Sequence, residues 1–163
     1  MIANGVFLCD LVYCVIEGVE SVNLVARVDD RGYLIEIARA TDPFLRKFGQ
    51  VYLVGNFAKG TVRAFHKHEA LWDLFFINHG AAKFVLVDDR VVSPTYKEMN
   101  TFVVSARNPT LIVVPPDVFH GWMSLEDDTQ MISTATKVYC RERPDEVRVP
   151  PESFGDVWTV KGR

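Results

Sequence analysis

Residues 60–80 read GTVRAFHKHEALWDLFFINHG, and the fold turns on this stretch. Val62, Ala64, His66 and His68 share one parity, so an extended chain projects them from a single sheet face. Leu71, Asp73, Phe75 and Ile77 share a face of the next expected strand, which ends in the turn residues Asn78, His79 and Gly80. His79 therefore reads as a turn residue. Outward from here, short β-rich segments recur at residues 32–39, 49–57, 82–87, 101–105, 111–114 and 130–139, broken by Gly, Pro, Asn and Asp. Several are apolar on both parities, as strands are when one sheet face meets a core and the other is partly covered. The pattern predicts an all-β sandwich or barrel in one domain spanning residues 1–163. Helix is scarce, with residues 42–48 and 145–147 the only short candidates. Residues 141–163, rich in Pro and charge, are expected to wrap the surface. Residues 1–20 are unusually apolar for a free arm, which suits a strand added to a partner subunit.

Composition narrows the function. Eighteen basic against 21 acidic residues leave a net charge of −3, unlike the basic excess of a nucleic-acid-coating protein. No run of about 18 apolar residues suggests a membrane span. The early apolar stretch contains Asp10 and lacks a basic leader, so it is a poor signal peptide. Cys9, Cys14 and Cys140 form no CxxC pair, and an odd count argues for free thiols in a reducing cytoplasm.

All four histidines lie between residues 66 and 120. Written as spacing, the chain carries Gly60-x5-His66-x-His68-x4-Asp73-x6-Gly80 and then Pro115-x-Asp117-x2-His120. This resembles the two motifs of the cupin superfamily, a small jelly-roll-like β-sandwich, with Asp73 where Glu is usual and Asp117 where Gly is usual. In metal-binding cupins the equivalent residues, here His66, His68, Asp73 and His120, hold one divalent transition metal, for which imidazole and carboxylate are suitable ligands. Metal ligation, metal-free acid–base catalysis and a structural role all stay open for these residues.

A closer resemblance spans residues 29–158. Asp29-Asp30-Arg31-Gly32, Lys59-Gly60-x-Val62-Arg63-x-x-His66, Asp89-Arg90-x-x-Ser93-Pro94-Thr95, Ser105-Ala106-x-Asn108 and His120-Gly121-Trp122 occur in this order. Together they resemble the dTDP-4-dehydrorhamnose 3,5-epimerase family of cupins. The resemblance implies a homodimeric isomerase of a nucleotide-linked 4-keto-6-deoxy sugar, working without a cofactor. It also implies His66 as the base, Arg31 and Glu36 as nucleotide-gripping residues, and Gln50, Lys59, Arg63 and His120 as pocket residues. Arg63 lies three residues before His66, on the opposite face of a regular strand, so both reach one pocket only if the strand is bulged.

Departures from the family are informative. Ser133 stands where the family has its acidic tyrosine, and Tyr139 lies six residues further, about 20 Å along an extended strand. Asp73 stands where the family has a pocket lysine. His68 replaces a glutamine, and the family's histidine-orienting aspartate has no match. Arg63-x-x-His66-x-His68 also resembles the sugar 3,4-ketoisomerase cupins, which carry paired histidines on this strand. The reading is a nucleotide-sugar epimerase or ketoisomerase with His66, His68 and Asp73 as catalytic residues. A metal cupin and a non-catalytic sugar-nucleotide-binding cupin are the alternatives.

Overall fold

The computed structural model describes residues 16–160, and these form β-structure without a helix. The strands are β1 (Glu20–Asn23), β2 (Ala26–Asp29), β3 (Gly32–Ile35), β4 (Gln50–Asn56), β5 (Val62–Lys67), β6 (Asp73–His79), β7 (Ala81–Asp88), β8 (Met99–Ser105), β9 (Thr110–Val114), β10 (Val118–Ser124), β11 (Thr129–Ala135) and β12 (Val147–Arg148). Two five-stranded antiparallel sheets face each other, ordered β1-β9-β6-β11-β4 and β12-β5-β10-β7-β8, and β2 and β3 make a separate two-stranded ribbon.

The double-parity apolar strands are explained by three packed layers. Between the sheets lie Phe75, Ile77, Phe84, Leu86, Trp122 and Met131. The outer face of the first sheet, carrying Leu74, Phe76, Leu111 and Val113, is covered by Phe44 and Leu45. The outer face of the second, carrying Phe65, Val85, Val87 and Phe119, is covered by the tail residues Val149, Phe154, Val157 and Trp158. Each such side chain taken fully from water is worth about 1.5–3 kcal/mol, so both strips of covering chain are pinned by apolar burial.

Neither expected helix forms. Seven residues at 42–48 are too few to offset helix nucleation, and their Phe44 and Leu45 are drawn onto the sheet. Residues 145–147 run into β12, because the edge of β5 offers unpaired backbone groups that Val147 and Arg148 satisfy. The expected strand at 130–139 stops at Ala135, where the chain turns. Within this chain, β1 pairs with β9, Glu20 opposite Val113; residues 1–15, with Cys9 and Cys14, lie outside the described residues.

Candidate active site

At one end of the sandwich the sheets part around a cavity of about 1130 Å³. Gln50, Tyr52, Asp73 and Phe75 line it from the first sheet, and Arg63, His66 and His120 from the second, with His68 just beyond β5. The bulge required by Arg63 is present. His120 pairs with His66 and Trp122 with Arg63, so three steps on β5 oppose two on β10. The motif residue Gly121 sits against it: a Cβ there would lie 2.3 Å from the Ala64 Cβ, so only glycine fits. Asp117 has φ of 58°, which explains why a glycine is usual at this position and why Asp is tolerated. The turn before His120 is held by Lys67, whose ammonium meets Asp117 at 3.2 Å and Asp89 at 2.7 Å.

The three imidazoles gather tightly. His120 Nε2 lies 3.0 Å from His66 Nε2, and Asp73 Oδ2 lies 3.4 Å from His68 Nε2 and 3.5 Å from His120 Nε2. The hydrogen-bond network assigns the tautomers. His120 Nδ1 donates to the Val118 carbonyl at 3.0 Å, so the Nε2 of neutral His120 is bare. His66 Nε2 therefore donates to it, which leaves His66 Nδ1 with the free lone pair. His68 Nδ1 donates to the Asp145 carbonyl, which turns its Nε2 toward Asp73.

Electrostatics agree with these assignments. Burial, reinforced by the neighbouring His68, pushes the His66 pKa down to about 4. His120 is held well below the usual imidazole range by burial and by His66. Asp73 is 2% exposed, and burial pushes its pKa up to about 7 despite the opposing pull of His68. A buried carboxyl facing the bare Nε2 of His120 is better placed as an acid than as an anion. The site thus presents the neutral imidazoles of His66 and His120 beside a buried carboxyl whose protonated form is favoured.

The structure places the other expected residues as follows. Gln50 and Arg63 line the cavity; Arg63 donates to Asn56 Oδ1 at 2.7 Å and to the Gly55 carbonyl at 3.2 Å. Arg31, Glu36 and Lys59 lie outside the cavity wall of this chain. Arg31 pairs with Asp29, Glu36 approaches Arg27 and Arg39, and Lys59 is bound through its backbone to Asp127. His79 sits in its turn against the Asp128 carbonyl. Tyr139 is not remote: because β11 ends early, it turns into the cavity wall, and its backbone N–H reaches Gln50 Oε1 at 3.0 Å. Sequence reasoning also passed over Lys137, Arg143 and Arg148 at the cavity. The available signal was a cluster of cations directly after the last long strand.

Comparison with known proteins adds descent to this geometry. Residues 14–161 match the family model described as dTDP-4-dehydrorhamnose 3,5-epimerase. The chain belongs to this family. The spore coat polysaccharide biosynthesis protein SpsL of Bacillus subtilis is 35% identical over 151 residues, covering 91% of this chain and 99% of SpsL. The probable low-salt glycan biosynthesis epimerase Agl13 of Haloferax volcanii is 34% identical, over 83% of this chain and 88% of Agl13. Among solved structures, ChmJ, a 3'-monoepimerase from Streptomyces bikiniensis in complex with dTDP-quinovose, is 25% identical. Its TM-score is 0.76, over 84% of this chain and 72% of ChmJ. The family fold is thus the one read from the motifs, an all-β cupin sandwich. No helix among the described residues is long and apolar enough to cross a membrane.

Proposed function

We propose that this protein epimerises or ketoisomerises a nucleotide-linked 4-keto-6-deoxy sugar in the cytoplasm, with His66 taking the proton beside the ketone. The observation that carries the reading is the neutral His66 imidazole in the wall of a sugar-sized cavity, its Nε2 engaged and its Nδ1 free. A general base must be unprotonated at working pH, and burial keeps His66 so. His68 serves as second acid/base, and Asp73 orients His68 and His120. Gln50 and Arg63 hold the sugar, and His120 holds His66 in place. Lys137, Arg143 and Arg148 supply the cations that a diphosphate needs at the mouth. The dTDP-quinovose bound by ChmJ supports a ligand of this class.

The proposal includes a homodimer. Val28, Tyr33 and Leu34 on the β2–β3 ribbon are 75%, 76% and 57% exposed, and a lone two-stranded ribbon is marginal in water. Seated over a partner's cavity, it would bury these side chains and bring Arg31 and Glu36 to the nucleotide.

Incubation with candidate dTDP- and GDP-4-keto-6-deoxy sugars in D2O tests the reading. Deuterium is expected at the carbon beside the ketone, together with an inverted centre or a migrated carbonyl. Absence of both with every sugar defeats it.

One observation favours a second reading. The donor atoms of His66, His68 and His120 lie within 4.8 Å of one another, a spacing that suits a divalent transition ion, with Asp73 beside two of them. Such an ion would polarise the ketone oxygen as a Lewis acid. Metal analysis of untagged protein separates the readings: a stoichiometric ion lost in His120→Ala favours the second.

A further inference from the structure

We propose that Tyr52 is the acid that delivers the proton to the ring face opposite His66, the role left vacant by Ser133; this rests on the reading of His66 as base. Inversion of a carbon needs proton removal on one face and proton return on the other. The two sheets provide two faces. His66 stands on β5 of one sheet and Tyr52 on β4 of the other, and both line the same cavity. Packed sheets are about 10 Å apart, which leaves room for one sugar ring between an imidazole and a phenol.

Register places the phenol where it is needed. Ser133 on β11 pairs with Tyr52 on one side and with Phe75 on the other. Gln50, Tyr52 and Val54 share the parity of the cavity face, as do Met131, Ser133 and Ala135. An aromatic alcohol at Tyr52 thus projects from the same face as a residue at Ser133, one strand over. The Ser133 hydroxyl is buried and meets no partner at hydrogen-bond geometry, although the Tyr52 phenol is near enough to interact with it. Ser133 is small where a large side chain would block Tyr52 from leaning over β11. Tyr52 is 41% exposed; its partial burial, partly offset by Ser133, raises the pKa, so the phenol keeps its proton at neutral pH.

The step balances without any further reactant. The C–H bond beside the ketone breaks, its proton passes to His66 Nδ1, and its electron pair forms the enolate. The enolate pair then takes the phenolic proton of Tyr52 from the other side, forming the inverted C–H bond. The phenolate and the imidazolium exchange protons with solvent to close the cycle.

Tyr52→Phe keeps the ring, so its melting temperature serves as a check on the fold. In D2O with dTDP-4-keto-6-deoxyglucose, wild type should give both deuterium exchange and inverted product. Tyr52→Phe should retain His66-dependent exchange within about tenfold, while inversion falls by at least about 100-fold. Inversion at the wild-type rate in Tyr52→Phe overturns the assignment. So does an equal loss of exchange and inversion at unchanged melting temperature, or loss of inversion in Tyr139→Phe instead. Wild-type exchange with carbonyl migration and no inversion also overturns Tyr52 while sparing His66. A wild type that exchanges nothing brings down His66 and Tyr52 together.

Discussion

Two aspartates of this protein are buried to the same degree and behave in opposite ways. Asp88, at the end of β7, is 1% exposed and Asp73, at the start of β6, is 2% exposed. Asp88 receives hydrogen bonds from Arg90 at 2.8 Å through both Nε and Nη2, and from Ser93 and Thr95 at 2.6 Å. Burial works against its charge, but these donors outweigh it and hold the carboxyl well below the usual range. Asp73 meets two imidazole nitrogens at 3.4 and 3.5 Å, and burial raises its pKa to about 7. Donor supply and depth of burial together decide the charge of a solvent-excluded carboxyl. The Asp89-Arg90-x-x-Ser93-Pro94-Thr95 motif is therefore scaffold, a loop folded around the charge of Asp88. Asp73 belongs to the imidazole cluster, where burial favours its protonated form.

The sharpest separation of the two regions comes from His66→Asn. This variant should lose about 10²–10⁴-fold in turnover with a circular-dichroism melt close to wild type; retained turnover removes His66 from the chemistry. Asp88→Ala should do the reverse. Stranding the Arg90, Ser93 and Thr95 donors should cost about 3 kcal/mol, a fall in Tm of roughly 6–12 °C for this length, with the folded fraction still active. A Tm within a degree of wild type would break the contrast. Asp73→Asn should lower kcat by about 10–100-fold, as loss of an orienting partner does, while leaving Tm near wild type below about pH 4, where the carboxyl is protonated in both the folded and the unfolded chain.

The subtlest contrast is in pH dependence. Asp73 has a raised folded pKa, so its contribution is full below its ordinary value near 4 and is lost as pH rises to about 7. His66 has a lowered one, so its contribution is present above about 6.5 and is lost as pH falls to about 4. The slopes oppose each other in wild type. In Asp73→Asn only the histidine slope survives, so Tm should climb more steeply between pH 4 and 6.5, by roughly 6–12 °C more than wild type. Parallel Tm–pH curves would show that Asp73 is not held protonated.

Much of the architecture was legible because strand periodicity and turn residues are local signals. The shared parity of His66 and His68 and the position of His120 after Pro115-Pro116-Asp117 follow from residue order alone, while the need for a bulge at Arg63 came from joining that order to the family resemblance. A tail wrapping the surface was expected from its composition, but its anchors Phe154 and Trp158 and its cations at the cavity were not legible, since a charged, Pro-rich segment does not show which of its side chains are pinned. Tyr139 was misjudged because the end of β11 is set by where its neighbours stop pairing. Tyr52 carried no local signal, as its importance depends on lying opposite Ser133 on a strand distant in the chain.

What residue order determined about this protein is which side chains can share a sheet face, because alternation is built into the extended backbone. What only the tertiary structure decided is which faces meet across a cavity and which buried groups find donors. Those depend on long-range pairing and on loss of water, and neither is encoded in any short window of the chain.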